Sequence, residues 1–188
     1  MSEVKKSAKK NIAFALLAVF VLPVILAKLA LDYGWFNEAA TNKGELLDPI
    51  LSLGAMGVEN SQKWRILYVL PEKCEAQCEN ALYSINQVWL ALGKEMDRAQ
   101  AVAVATELSD KDKLIALEQQ SNISILKSQQ QSVNQVFQQI PTDGIFVVDT
   151  LDNVILRYPL QLEQQQAVLH SREILADLRK LLKLSRIG

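Results

Sequence analysis

The sequence predicts an α/β domain carried on one N-terminal apolar helix. Three observations predict it. A long apolar run lies near the N-terminus, short β-type runs alternate with helical patterns after residue 63, and both cysteines fall at the first strand-to-helix turn.

The apolar run follows "MSEVKKSAKK", which carries Lys5, Lys6, Lys9 and Lys10. Across 12–31 only Pro23 and Lys28 interrupt it. A helix of that length, at about 1.5 Å rise per residue, extends roughly 30 Å, the thickness of a bilayer's hydrocarbon core. Lys28 stands near the far end, where its stem reaches the headgroups, and Tyr33, Trp35 and Phe36 follow at interfacial depth. The four lysines on the near side predict an N-in orientation, with everything after residue 35 exported. A signal peptide would have an apolar core of about 7–15 residues and a small-x-small site. This run is longer and "AKLALDYGWFNEAATN" has no good Ala-x-Ala, so the expectation is a cytoplasmic segment 1–10 and an uncleaved transmembrane anchor over 11–35.

The bulk charge excludes some classes. The chain has 188 residues with 20 basic and 21 acidic side chains, net −1, so no overall field points toward nucleic acid. With one histidine and no Ser/His/Asp set, phosphate-binding Gly loop or paired-carboxylate site, conventional hydrolase chemistry is not expected.

Residues 36–62 are rich in Gly, Asn and Ser, with one apolar patch near 46–53, and are expected to be a linker. The folded domain is expected over 63–188. "WRILYVL" (64–70), aromatic and β-branched and closed by Pro71, reads as a buried strand. A helix follows with Leu82, Ile85, Trp89, Leu92 and Met96 at spacings of three and four, although Gly93 lies within it. "AQAVAVATE" (99–107) reads as a second strand, and "DKDKLIALEQQ" as a short helix capped by Asp110. "NISILK" (122–127) is a third strand. In "SVNQVFQQI", Val133, Val136, Phe137 and Ile140 form a helical stripe, with the glutamines on the wet face. "GIFVVD" and "NVILRY" flank the turn residues "TLDN" as a β-hairpin, and a last helix spans about 162–184 with Ile174, Leu175, Leu178, Leu181 and Leu182 as its stripe. The order β-α-β-α-β-α-β-β-α is that of a thioredoxin-like fold.

Cys74 and Cys78 are the only cysteines, and export makes a resting disulfide available to them. On one helix turn, side chains at i and i+4 lie about 5–6 Å apart at Cβ, wider than the usual disulfide span of about 3.5–4.5 Å. A bridge forms if Cys74 sits in the loop just before the helix. As thiolates, the same pair can grip a soft ion such as Cu(I) or zinc. The helix N-terminus favours negative sulfur, whereas Glu72, Glu75 and Glu79 disfavour it and draw in cations. Redox exchange, metal binding and an inert bridge therefore all stand at this point. A bridge closing so short a loop adds little through loop entropy, which counts against the last.

The stretches "NKGELLDP", "KWRILYVLPEKCEAQCENALYSINQVWLALGKEMDR", "DGIFVVDTLDNVILRYP" and "LRKLLKLSRIG" resemble a divergent bacterial branch of the SCO/SenC family. The Cys-x-x-x-Cys is their one chemically specific motif. The resemblance implies a bacterial inner-membrane protein with its domain in the periplasm, acting in assembly of the Cu_A site of cytochrome c oxidase. It implies either copper handling through Cys74 and Cys78, or reduction of the copper-site cysteines so that copper loads. Its implied partners are the copper-site oxidase subunit or other assembly factors. Family members add a histidine before the hairpin strand, but the equivalent stretch here, "QIPTDGIFVVD", has none. That departure moves weight from copper delivery toward thiol–disulfide exchange, with Cys74 attacking and Cys78 resolving.

The sole histidine, His170, lies on the last helix and reads as an ordinary helix-face residue rather than a ligand. "IPT" around Pro141 resembles the cis-proline signature that faces the cysteines in thioredoxin-like redox proteins, and reads equally as a proline ending a helix. Arg179, Lys180, Lys183 and Arg186 suit a helix C-terminus, and Trp64 and Trp89 read as core.

Overall fold

A computed structural model describes residues 3–33, 42–57, 62–120 and 122–185, with side chains in the first helix described from Leu16 onward. The chain divides into two compact units, Met1–Thr41 and Asn42–Gly188. The first contains helix α1, Glu3–Asp32, with Pro23 inside it. From Leu16 its exposed side chains are predominantly apolar, Phe20, Val24 and Leu31 among them. Among the described residues no helix is long and apolar enough to cross a membrane. Trp35, Phe36 and Arg186 lie outside the described residues, as do the side chains of the four N-terminal lysines.

The second unit is built on a six-stranded mixed sheet. Its elements run β1 (Glu45–Ser52), β2 (Trp64–Val69), α2 (Ala76–Ala91), β3 (Ala99–Ala105), α3 (Lys111–Gln120), β4 (Ser124–Lys127), α4 (Gln130–Val136), β5 (Gly144–Val148), β6 (Asn153–Pro159) and α5 (Gln164–Leu184). The spatial order is β1-β6-β5-β2-β3-β4. β2, β3 and β4 are parallel, and β5, β6 and β1 add antiparallel pairings. This is the thioredoxin-like arrangement that the element order predicts.

Strand β2 is buried at every position, as a central strand covered on both faces must be. Its alternation divides the core. Trp64, Ile66, Tyr68 and Leu70 face a cluster with α2, α5 and Leu117 of α3, while Leu67 and Val69 face Val133, Val136, Phe137 and Leu53. Helix α2 buries Cys78, Ala81, Leu82, Ile85 and Val88 at helical spacing, so its N-terminal turn is pinned against the sheet. Gly93 lies beyond the helix rather than within it. Its φ of +60° is a left-handed conformation that glycine takes without strain, and a 3-10 turn, Gly93–Arg98, carries Met96 from there.

Where a linker is expected, residues Glu45–Ser52 form β1, an edge strand antiparallel to β6 with an irregularity between Leu46 and Leu51. Leu47, Leu53 and Met56 enter the core. Pro49 and the broken alternation of "ELLDPILS" hide this strand, and an edge position tolerates both. Asp177 of α5 fastens the lead-in to β1: its fully buried carboxylate accepts hydrogen bonds from Lys43 N, Gly44 N (3.0 Å) and the Tyr158 hydroxyl (3.0 Å).

The hairpin turn predicted at "TLDN" is held by Asp149, whose Oδ1 accepts from Leu151 N at 2.8 Å and Asn153 N at 2.9 Å. Arg65 at the start of β2 is 1% exposed, donates to Asp149 O at 3.2 Å and pairs with Asp152. Two C-terminal helix ends are closed by arginines: Arg179 donates to Ala91 O at 2.6 Å and Arg98 to Ser185 O at 2.9 Å.

Candidate redox site

Pro71 ends β2 and residues 71–75 turn the chain into α2. Cys74 lies in this loop and Cys78 in the first turn of the helix, and the two form a disulfide with Cα atoms 5.1 Å apart. Placing Cys74 ahead of the helix brings the sulfurs within bonding range, as the geometry of an i, i+4 pair requires. Cys78 is 2% exposed and packs with Tyr68, Ala81 and Leu82, whereas Cys74 is partly exposed.

The loop is fastened to the β3–α3 connection. Asp110 caps α3 through Oδ1, which accepts from Lys113 N at 3.0 Å, and its Oδ2 accepts from Cys74 N at 2.9 Å. The Asp110 N–H in turn donates to Pro71 O at 2.8 Å. Ser109 Oγ donates to Leu70 O at 2.8 Å and accepts from Thr106 N at 2.9 Å. The Cys74 N–H, followed by the Lys113 N–H, holds the Asp110 carboxyl below its ordinary range, because both bonds favour the charged form.

The three sequence-predicted glutamates take different places. Glu75 pairs with Lys73 at 2.7 Å in full solvent contact, which lowers the glutamate and raises the lysine. Glu79 Oε1 stands 3.9 Å from Cys74 Sγ, and Glu79 Oε2 pairs with Lys113. Glu72 lines a cleft of ≈ 320 Å³ that opens beside the disulfide. Tyr68 and Cys78 also line this cleft, faced by Thr106, Thr142 and Asp143. Burial first, and Asp143 second, push the Tyr68 hydroxyl well above its ordinary range, so it stays a protonated donor.

Pro141 does not take the place expected of it. Among the described residues the one cis peptide bond is Asp48–Pro49, so Ile140–Pro141 is trans. Pro141 is exposed, and its successors Thr142 and Asp143 line the cleft instead. Nor does Pro141 end a helix at Ile140: α4 already ends at Val136, with Phe137 as its C-cap.

His170 lies on α5, outside the cysteine cleft. It packs edge-on against Tyr158 with ring centroids 5.7 Å apart, and its Nδ1 is 3.4 Å from Gln161 Nε2. Burial lowers its pKa, Glu173 opposes this, and Nε2 is buried without a partner. Among the described residues no three His, Cys, Asp or Glu side chains form a metal-holding group. The soft donors available to a metal are the two sulfurs, once reduced.

Sequence reasoning missed three participants. Lys113 stands 34 positions from Glu79, and nothing in the local pattern links them. Asp110 is legible as a helix cap, but its second oxygen, on Cys74 N, is not. Tyr68 reads as core, and only the turn of the chain at Pro71 brings a cleft over it.

A disulfide at the first strand-to-helix turn of this α/β fold, with the buried Cys78 lining a cleft and Cys74 partly exposed in the loop before it, places the chain among thioredoxin-like proteins. More narrowly, residues 64–185 match the family of the transmembrane-like, thioredoxin-like, C-terminal domain, and the chain belongs to it. No curated protein gives a match. Copper-bound ScoI of Bradyrhizobium japonicum shares 14% identity over 69% of this chain and 97% of its own, with a TM-score of 0.43. Copper-bound ScoI of Arabidopsis thaliana shares 10% identity over 73% and 98%, with a TM-score of 0.46. The thioredoxin domain of a Bacteroides vulgatus thiol-disulfide oxidoreductase shares 14% over 58% and 79%, with a TM-score of 0.42. These likenesses concern overall fold, and no ligand or residue role is carried over from them.

Proposed function

We propose that this chain is a membrane-anchored thiol–disulfide reductase of the bacterial periplasm, with Cys74 as the attacking sulfur and Cys78 as the resolving one. The observation that carries the reading is the asymmetry of the disulfide: Cys74 is partly exposed in a loop, and Cys78 is buried in the helix. Cys74, the more exposed residue, is the one offered to a partner, and Cys78, buried in the helix where it lines the cleft, is the one held in place to resolve the mixed disulfide.

In the reduced protein, the Cys74 thiolate attacks one sulfur of a client disulfide. A mixed disulfide forms and the first client sulfur leaves as thiolate. Cys78, deprotonated, then attacks Cys74 Sγ, which re-forms the Cys74–Cys78 bond and releases the second client thiolate. Two electrons pass from the protein dithiol to the client disulfide, and the two thiol protons pass through solvent to the client thiolates. A membrane or periplasmic donor must then return two electrons. The helix N-terminus lowers the cost of negative charge at the sulfurs during the first step.

The proposed client is the copper-site cysteine pair of a cytochrome c oxidase subunit. Its support is the resemblance of stretches covering most of residues 42–188 to the SCO/SenC family, together with the apolar run over 12–31 and its basic N-terminal flank, which favour an anchor with an N-in orientation. A second reading, Cu(I) carriage by the same sulfurs, is favoured by the proximity of two soft donors and an acidic Glu79. Copper is there a cargo, held without a histidine.

Two arms test the proposal in cells. The Cys78→Ser chain, expressed in place of the native one, is expected to accumulate in the membrane fraction as a mixed disulfide with an oxidase subunit. Deletion is expected to leave the subunit's copper-site cysteines oxidised. A reduced copper site in the deletion strain, with oxidase activity lost and restored only by added copper, would replace reduction by carriage.

A further inference from the structure

Three glutamates surround the disulfide in sequence, and the structure places a carboxylate oxygen of one, Glu79, near the Cys74 sulfur. Glu75 is occupied by Lys73, and Glu72 faces the cleft. Glu79 Oε1 lies 3.9 Å from Cys74 Sγ, with its second oxygen held by Lys113. Lys113 is itself placed by Asp110, whose two oxygens accept from Lys113 N and Cys74 N. The N-terminal end of α3 therefore supplies the cysteine loop with both its backbone anchor and the counter-ion of the carboxylate 3.9 Å from the reacting sulfur.

The geometry points to Glu79 as the residue that sets the ionisation, and so the nucleophilicity, of Cys74, with Lys113 as the cation that moderates it. This rests on the reading in which Cys74 attacks. In the reduced protein a thiol S–H at this place donates to Glu79 Oε1, which favours the protonated sulfur, and the carboxylate's charge acts in the same direction. Lys113 withdraws negative potential from the sulfur by holding the other oxygen. Among the described residues, charged groups near the loop include Glu72, Lys73 and Glu75 before α2, Asp110 and Asp112 on the α3 side and Asp143 before β5. Asp110 is committed to backbone N–H groups, and Glu75 and Lys73 neutralise each other. Removing either member of the Glu79–Lys113 pair should therefore move Cys74 in opposite directions.

The test uses the full chain in detergent with Cys78→Ser, which leaves Cys74 as its one thiol, and reads the rate of alkylation by iodoacetamide against pH. Glu79→Gln is expected to lower the midpoint of that profile by about half to one pH unit, with alkylation about three- to ten-fold faster below it. Lys113→Met is expected to raise the midpoint by a similar amount and slow the reaction. Adding Lys113→Met to Glu79→Gln should change little further, because the lysine acts through the glutamate. Glu79→Asp should restore most of the native profile. Should Lys113→Met fail to fold, Lys113→Gln makes the same comparison. Shifts of the same sign for both residues, or an unchanged profile for Glu79→Gln, would overturn the assignment. Alkylation needs no client, so opposite shifts without client mixed disulfide would leave this inference standing and remove the reductase. Mixed disulfide with an unmoved profile would do the reverse.

Discussion

Opposite ends of β2 carry an ion pair each, and the two are used differently. At the start of the strand, Arg65 is 1% exposed and its guanidinium is shared between Asp152 and the Asp149 carbonyl, inside the hairpin turn. Past the end of the strand, Glu79 and Lys113 pair with side chains 54% and 22% exposed, one carboxylate oxygen facing a sulfur. A buried pair can hold geometry, because losing one partner strands the other charge away from water. A wet pair contributes little to stability, since water takes over either partner. It can still change the potential at an adjacent atom. The end of β2 that keeps the fold together is thus separate from the end that can be adjusted without unfolding it.

Breaking the buried end should give the largest effect. Asp152→Ala leaves Arg65 charged, buried and unpaired, and is expected to cost about 3–5 kcal/mol in urea unfolding. Below its unfolding midpoint the variant should retain native alkylation kinetics at Cys74. A loss of stability under about 1 kcal/mol would put the pair in the same class as the wet one.

Cysteine replacements sharpen the comparison at the other end. Cys74→Ser should abolish mixed-disulfide formation with a thiol reagent such as glutathione. Cys78→Ser should form the adduct and fail to release it. Both should unfold close to the native urea midpoint after reduction, since a bridge across so few residues adds little loop entropy. Equal adduct formation by either variant would contradict the assigned roles.

A smaller change is expected from Asp110→Asn, which keeps the cap's shape and removes its charge. The Asp110 carboxyl is held below its ordinary value by the Cys74 and Lys113 N–H groups. Its contribution is therefore present above the unfolded value near 3.8 and lost as pH falls through that value to the folded one. Urea midpoints measured from pH 6 to pH 3 should fall less steeply for Asp110→Asn than for the native chain, the charge being already absent.

The smallest predicted effect is at His170. Burial sets its folded pKa below the ordinary 6.5, so the unfolded chain binds the proton first as pH falls. Stability should decline from pH 7 to pH 5, and His170→Gln should flatten that decline without altering Cys74 alkylation.

Most of the fold was legible because its elements have clean periods. The buried runs at 64–69 and 144–148, the helical stripe through Leu82 and Ile85, and the "TLDN" turn each give one reading. β1 was not legible, because Pro49 and an edge strand's mixed burial imitate a linker. At the site, the cysteine pair and the Asp110 cap follow from local sequence, whereas the Glu79–Lys113 pairing depends on how α3 lies beside α2. Pro141 fits neither of the two readings open to it: its peptide bond is trans, α4 stops at Val136 before it, and Thr142 and Asp143 line the cleft instead.

The central claim is that Cys74–Cys78 is a working couple rather than a structural bridge. The most direct test is equilibration of the full chain with glutathione buffers of known ratio, reading the dithiol fraction by alkylation and mass. A reduction potential above about −300 mV, with a mixed disulfide trapped on Cys74 alone in the single-cysteine variants, is the predicted result. A potential below about −300 mV, with no adduct on either sulfur, would make the bridge structural and contradict the account.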